Sequence, residues 1–124
     1  MARPGSVIGW LLDASDRAQL LEQFPPRYEK AVAHHVTLKT DAEQDPLPRQ
    51  VKAEVVGRTD DGEGVEAMVV TIDGTTDRPD GSTYHITWSL GHGRRALESN
   101  DVLKERGWQE FDHQNPVRLR PGRI

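Results

Sequence analysis

A chain of 124 residues is long enough for one domain and too short for two. Hydrophobic residues at 35% and charged residues at 29% suit a soluble globular domain and exclude a disordered one. The net charge of -4 excludes bulk wrapping of long duplex nucleic acid, and the absence of cysteine excludes disulfides, thiolate catalysis and Cys-type zinc sites.

The stretch Met1 to Asp13 lacks the long apolar core of a signal peptide, and no apolar run reaches membrane-spanning length. A cytoplasmic monomer is the default expectation. Val7 to Leu12 is a short apolar run and predicts a buried strand. Ala14 to Gln23 predicts a helix, which Asp13 or Ser15 can cap, with Leu20, Leu21 and Phe24 on its apolar face. Pro25-Pro26 stops it. Ala31 to Leu38 is apolar and β-branched enough to predict a second strand, and Asp41 to Pro48 a loop.

Val51 to Arg58 and Val65 to Ile72 predict an antiparallel hairpin around Asp60-Asp61-Gly62-Glu63-Gly64. That turn resembles a calcium loop only superficially, because the ligand spacing is absent. Asp73 to Gly81 predicts a loop and Thr83 to Leu90 a strand. Ser99 is placed to cap a helix through Arg106, stopped by Gly107. Two short extended pieces, Trp108 to Phe111 and Val117 to Arg120, end the chain. The order predicts one α+β domain over residues 1–124 with a mostly antiparallel sheet.

One motif occurs twice. His34-His35-Val36-Thr37-Leu38 and Tyr84-His85-Ile86-Thr87-Trp88 share the form His, β-branched apolar residue, Thr, apolar residue. Side chains two apart on a strand share a face, so His35 joins Thr37 and His85 joins Thr87. Val36, Leu38, Ile86 and Trp88 then face a core. Two imidazoles suit displacement at phosphorus, one as base on the entering oxygen and one as acid on the leaving oxygen. Two hydroxyls supply hydrogen bonds to the non-bridging oxygens without adding charge. The plain alternative is a pair of half-buried strand histidines with ordinary hydrogen bonds.

The paired motif resembles the two signatures of the two-histidine phosphoesterases. Phe24-Pro25-Pro26-Arg27-Tyr28 leading into His34 to Leu38 is similar to the cyclic-phosphodiesterase domain of fungal tRNA ligases, as is Tyr84 to Thr87 followed by Glu98-Ser99-Asn100-Asp101. Compact bacterial relatives grouped with RNA-repair proteins are similar too. The resemblance spans Trp10 to Trp108, and only the paired motif is specific. It implies a bilobal fold with a pseudo-twofold axis, antiparallel sheets around a central cleft and helices outside. It implies metal-independent, cofactor-free hydrolysis of a 2′,3′-cyclic phosphate at an RNA or nucleotide end to a 2′-phosphate. His35 and His85 take the acid and base roles, and Thr37 and Thr87 the phosphate contacts. The chain is shorter than most members and its motifs lie closer together, which implies a shallow, open cleft.

Other residues are candidates for holding substrate. Arg94 and Arg95 follow the second motif in a Gly-rich lip, and Lys39 follows the first; each can meet a phosphate or form an ordinary solvated turn. Tyr84 and Trp88 are candidates for stacking a base, and Tyr28 for the cleft rim. Trp10 and Trp108 read better as core. His34 is expected to face away from His35, and His92 and His113 to be solvated. Two rival readings stand beside the first. One is an enzyme for a small cyclic nucleotide or an ADP-ribose cyclic phosphate. The other is a non-catalytic module that binds phosphate ends.

Overall fold

The computed structural model describes residues 5–124; the first four residues of the stretch read above for a signal peptide lie outside them. Ten elements follow in chain order: β1 (Ile8–Leu12), α1 (Ala14–Gln23), β2 (Lys30–Ala31), β3 (His35–Lys39), β4 (Ala53–Asp60), β5 (Val65–Ile72), β6 (His85–Leu90), α2 (Glu98–Arg106), β7 (Gln109–Val117) and β8 (Leu119–Arg123). They form two antiparallel sheets, β3-β1-β8 and β2-β6-β5-β4-β7. The chain is therefore α+β, the class its sequence predicts.

Alternation explains how the sheets are covered. Even-numbered residues of β5 and β6, namely Met68, Val70, Ile86 and Trp88, join Trp10, Leu12 and Val36 of the small sheet and Leu20 of α1 in the main core. Odd-numbered residues of β5 face α2, which lays Leu103 on Val56 and Val69 and Val102 on Val65. With side chains buried on both faces, β5 is apolar at every position except Glu66 and Thr71. Each large side chain so buried contributes about 1.5–3 kcal/mol. Helix α1 starts on Asp13, whose carboxylate accepts from the Asp16 amide at 3.0 Å.

Gly9 lets the small sheet close. A Cβ there would stand 2.1 Å from the Val36 carbonyl oxygen, so no side chain fits where β1 lies against β3.

Three expectations need correction. The strand predicted over Ala31 to Leu38 is two strands in different sheets. Val32 and Ala33 donate to the Trp88 and Thr87 carbonyls of β6, and then Ala33 turns left-handed at φ 43°. That conformation costs about 1–2 kcal/mol for an alanine. Arg17 of α1 offsets it by donating to the Ala33 carbonyl at 2.9 Å and the Val32 carbonyl at 3.2 Å. One segment thus edges both sheets and brings β3 beside β6.

The second correction concerns the tail. Its two pieces are longer strands that join different sheets, β7 beside β4 and β8 beside β1. β7 is an edge strand with mostly exposed side chains, so it lacks the apolar alternation that would mark it in sequence. Third, Ser99 does not cap α2. Leu97 holds the N-cap position with no side-chain bond, and Ser99 lies inside the helix, fully buried.

Candidate active site

The strand pairing carries the paired motif to one place. His35 and Thr37 of β3 and His85 and Thr87 of β6 line a single cavity of about 220 Å³, with Thr40, Arg78, Ala96, Leu97 and Asn100 among its other walls. A cavity of that size is below the about 300–1,000 Å³ of a site that encloses a drug-sized ligand. It suits a phosphate with part of a sugar.

The environment fixes the chemistry of each histidine. His85 is 8% exposed, and its Nδ1 lies 2.8 Å from the Thr83 carbonyl oxygen. A carbonyl only accepts, so Nδ1 carries the proton and Nε2 keeps its lone pair. Burial holds the His85 pKa below the usual imidazole value; the Thr83 bond opposes this and the Arg78 charge adds to it. His35 is pushed from 6.5 to about 4, first by burial, then by His34 and His85. Both rings are therefore neutral at pH 7.

His35 also sets a pH dependence of stability. Its folded pKa lies below its unfolded one, so the unfolded chain takes up a proton that the folded chain refuses. The stabilisation is complete above pH 6.5 and is lost as pH falls toward about 4. The two values differ by about 3 kcal/mol of linkage. Urea unfolding at pH 7 and pH 4.5 should show a loss that His35→Gln reduces by roughly 2–3 kcal/mol. An unchanged difference between the two pH values in that variant would contradict a half-buried, neutral His35.

The hydroxyls are not equivalent. Thr87 Oγ1 donates to the Ala96 carbonyl at 3.3 Å and lies 2.9 Å from Ser99 Oγ. The long bond to Ala96 is the one a phosphate oxygen would displace, with Ser99 donating to Thr87 and aiming it. Ser99 reaches Thr87 by turning inward, which the sequence pattern of a capping serine does not reveal.

Arg78 is the residue that motif reading missed. It is 8% exposed and lines the same cavity. Its Nε and Nη2 donate to the two carboxylate oxygens of Asp80 at 3.2 and 3.1 Å, and Nη2 also donates to Asn100 Oδ1 at 3.2 Å. The Arg78 bond holds the Asp80 carboxyl far below the usual carboxylate range. Among the described residues, nothing accepts from Nη1, which leaves two N–H groups for an anion. The only sequence signal was an arginine inside the Asp77 to Ser82 turn.

The remaining candidates stand elsewhere, and their substrate roles need correction. Trp88 is fully buried and donates its Nε1 proton to the Phe24 carbonyl at 2.9 Å. Tyr84 is 5% exposed and packs edge-on against Trp10 at 6.1 Å. Neither offers a free face to a base. Tyr28 donates to Asp60 at 2.6 Å. Arg94 is tied to Asp61 at 2.8 Å and Glu98 at 3.1 Å. Lys39 pairs with Asp45 at 2.6 Å, and Arg95 is exposed beside α2. None of these six lines the cavity. Trp10 is core as expected, whereas Trp108 is 37% exposed over Gly57. His92 and His113 are exposed. His34 does not face away from His35, because the turn at Ala33 breaks the alternation; the two Nδ1 atoms are 3.0 Å apart.

Among the described residues, no three or more His, Asp or Glu converge to hold a metal ion, and no helix is long and apolar enough to cross a membrane. Compared with known proteins, the chain matches no family model, no curated protein and no solved structure.

Proposed function

We propose that this chain is a cytoplasmic phosphoesterase that opens a 2′,3′-cyclic phosphate at an RNA or nucleotide end to a 2′-phosphate without a metal. One observation carries the reading: two imidazoles and two hydroxyls from separate sheets share a small cavity with a buried arginine that keeps two N–H groups unspent. His85 Nε2 has the free lone pair a general base needs to take a proton from water. His35, from the facing strand, protonates the departing 3′ oxygen. Arg78 Nη1 and the Thr37 and Thr87 hydroxyls hold the non-bridging oxygens. A bound phosphodiester anion raises both imidazole pKa values, because an adjacent negative charge favours the protonated form. That brings the pair back toward the working range.

A small substrate is favoured over a long RNA. The cavity admits little beyond a phosphate and sugar, and none of Tyr28, Lys39, Tyr84, Trp88, Arg94 or Arg95 extends it into a strand-binding track. The net charge of -4 points the same way.

The test is turnover of a nucleoside 2′,3′-cyclic monophosphate in EDTA, beside a short RNA with the same end, with the 2′ and 3′ products resolved. The mononucleotide should turn over at least as well as the RNA and give the 2′ isomer. Arg78→Gln should raise KM about ten-fold or more, the loss of a charge-assisted contact worth about 1.5–3 kcal/mol. Absence of turnover on both substrates, with a 2′-phosphate still bound, would replace this reading with a non-catalytic phosphate-binding module.

A further inference from the structure

We propose that His34 is a positioning residue that donates through its Nδ1 to His35 and supplies the proton His35 delivers to the leaving oxygen. The inference rests on the phosphoesterase reading and concerns the acid half of it.

His35 alone is a poor acid. It is withdrawn from solvent beside His85, with the Arg78 charge lining the same cavity, so a permanent charge on its ring is unfavourable. A neutral imidazole N–H does not readily protonate a departing alkoxide. The adjacent ring resolves this. His34 is exposed to solvent, and its Nδ1 stands 3.0 Å from His35 Nδ1 with the rings edge to face. Two nitrogens at that distance share one proton.

The direction of the bond follows from burial. When the pair holds one positive charge, that charge sits on the exposed ring, where water solvates it. An imidazolium has N–H on both nitrogens, so His34 must donate and His35 Nδ1 must accept. The remaining proton of His35 is then on Nε2, the nitrogen left to face substrate. The left-handed turn at Ala33 makes the contact, since a regular strand would point the two rings to opposite faces. Arg17 of α1 secures that turn through the Ala33 carbonyl at 2.9 Å.

The step balances. Water forms the new P–O bond and passes one proton to His85 Nε2. The P–O3′ bond breaks, and the His35 Nε2 proton goes to the leaving oxygen. The His34 Nδ1 proton crosses to His35 Nδ1. His34 ends neutral with its proton on Nε2, His35 ends neutral with its proton on Nδ1, and the positive charge has moved to His85. The site resets when His85 Nε2 gives its extra proton to solvent, His35 Nε2 takes one from water and the His35 Nδ1 proton returns to His34. The charged and titratable groups facing it are His85 on β6, Arg78 in the loop before β6, and Arg17 on α1.

The test compares His34→Ala and His34→Gln with the wild type. Both variants should lose about ten- to a hundred-fold in kcat at pH 7, the scale of a weakened acid, with KM nearly unchanged. The deficit should shrink toward pH 4, where His35 is itself protonated. Added imidazole should restore His34→Ala in part, because the vacated position is open to solvent. An unchanged kcat and pH profile in His34→Ala, with activity still lost in His35→Ala and His85→Ala, would overturn this inference alone. A pH-independent loss without imidazole rescue would overturn it too. The ring protons give a readout independent of turnover. Long-range proton–nitrogen spectra should place the His35 proton on Nε2 in the wild type and in His34→Gln, and release that preference in His34→Ala. A His35 proton on Nδ1 in the wild type would refute the donation from His34. A wild type inert on every cyclic phosphate would sink the inference together with the reading beneath it.

Discussion

Replacing His85 with Ala should lower kcat on a nucleoside 2′,3′-cyclic phosphate about a thousand-fold, with a much smaller change in KM. The size follows from the role. His85 offers a prefixed lone pair at the cavity, because Nδ1 is held by the Thr83 carbonyl and Nε2 is left bare. Without it, water must attack as a weak nucleophile with no acceptor for its proton. KM moves little, because Arg78 and the two threonine hydroxyls hold the ground state. His35→Ala should cost a similar factor, and the double variant scarcely more than either single one, since two residues serving one transition state are not additive. The pH profiles separate them. The base must be neutral, so the acidic limb of the wild-type profile belongs to His85 and should vanish in His85→Ala. The alkaline limb belongs to the acid and should vanish with His35. A near-normal rate in either variant would refute the two-histidine mechanism.

The parts of this site that were legible in sequence are those that strand geometry dictates. A period of two puts His35 with Thr37 and His85 with Thr87 wherever the strands lie, and both pairs do reach the cavity. The same parity argues against Tyr84 and Trp88 as base-stacking residues. They alternate with His85 and Thr87, so they share the core face with Ile86. The arginine and tyrosine candidates failed for another reason. Tyr28 and Arg94 are anchored by Asp60 and Asp61, residues of a hairpin turn distant in sequence. Arg78 was hidden because nothing local marks it. Its position depends on the turn that Asp80 closes by accepting from the Ser82 amide at 2.9 Å, and on Asn100 arriving from α2. Ala33 was hidden for a similar reason: an alanine carries no signal for a left-handed backbone, and Arg17, which holds it there, comes from a preceding helix.

The largest stability effect is expected at Glu66, whose side chain is fully buried on β5. It accepts from Ser89 Oγ of β6 at 2.6 Å and from the Arg27 amide at 3.1 Å, and it pairs with Arg58 of β4. One carboxylate thus joins three strands and the segment that follows α1. Glu66→Ala should destabilise the fold by about 3–5 kcal/mol, because it leaves the Arg58 guanidinium without its counter-charge in a largely buried place. Glu66→Gln should cost less, since an amide oxygen still accepts from Ser89 and from the Arg27 backbone. The double variant Glu66→Met with Arg58→Leu should recover more than half of the Glu66→Ala loss, because it removes both charges and replaces them with apolar bulk beside Phe24, over which Arg58 lies at 5.8 Å. Urea unfolding of the three variants measures this. A loss below about 1 kcal/mol in Glu66→Ala would mean that water reaches Arg58 and that the pair is worth no more than a surface salt bridge. The same series separates scaffold from chemistry. None of the hydrogen-bond or ion-pair partners of Glu66 lines the cavity, so the folded fraction of Glu66→Gln should keep the wild-type kcat, whereas the folded fraction of His85→Ala should lose it.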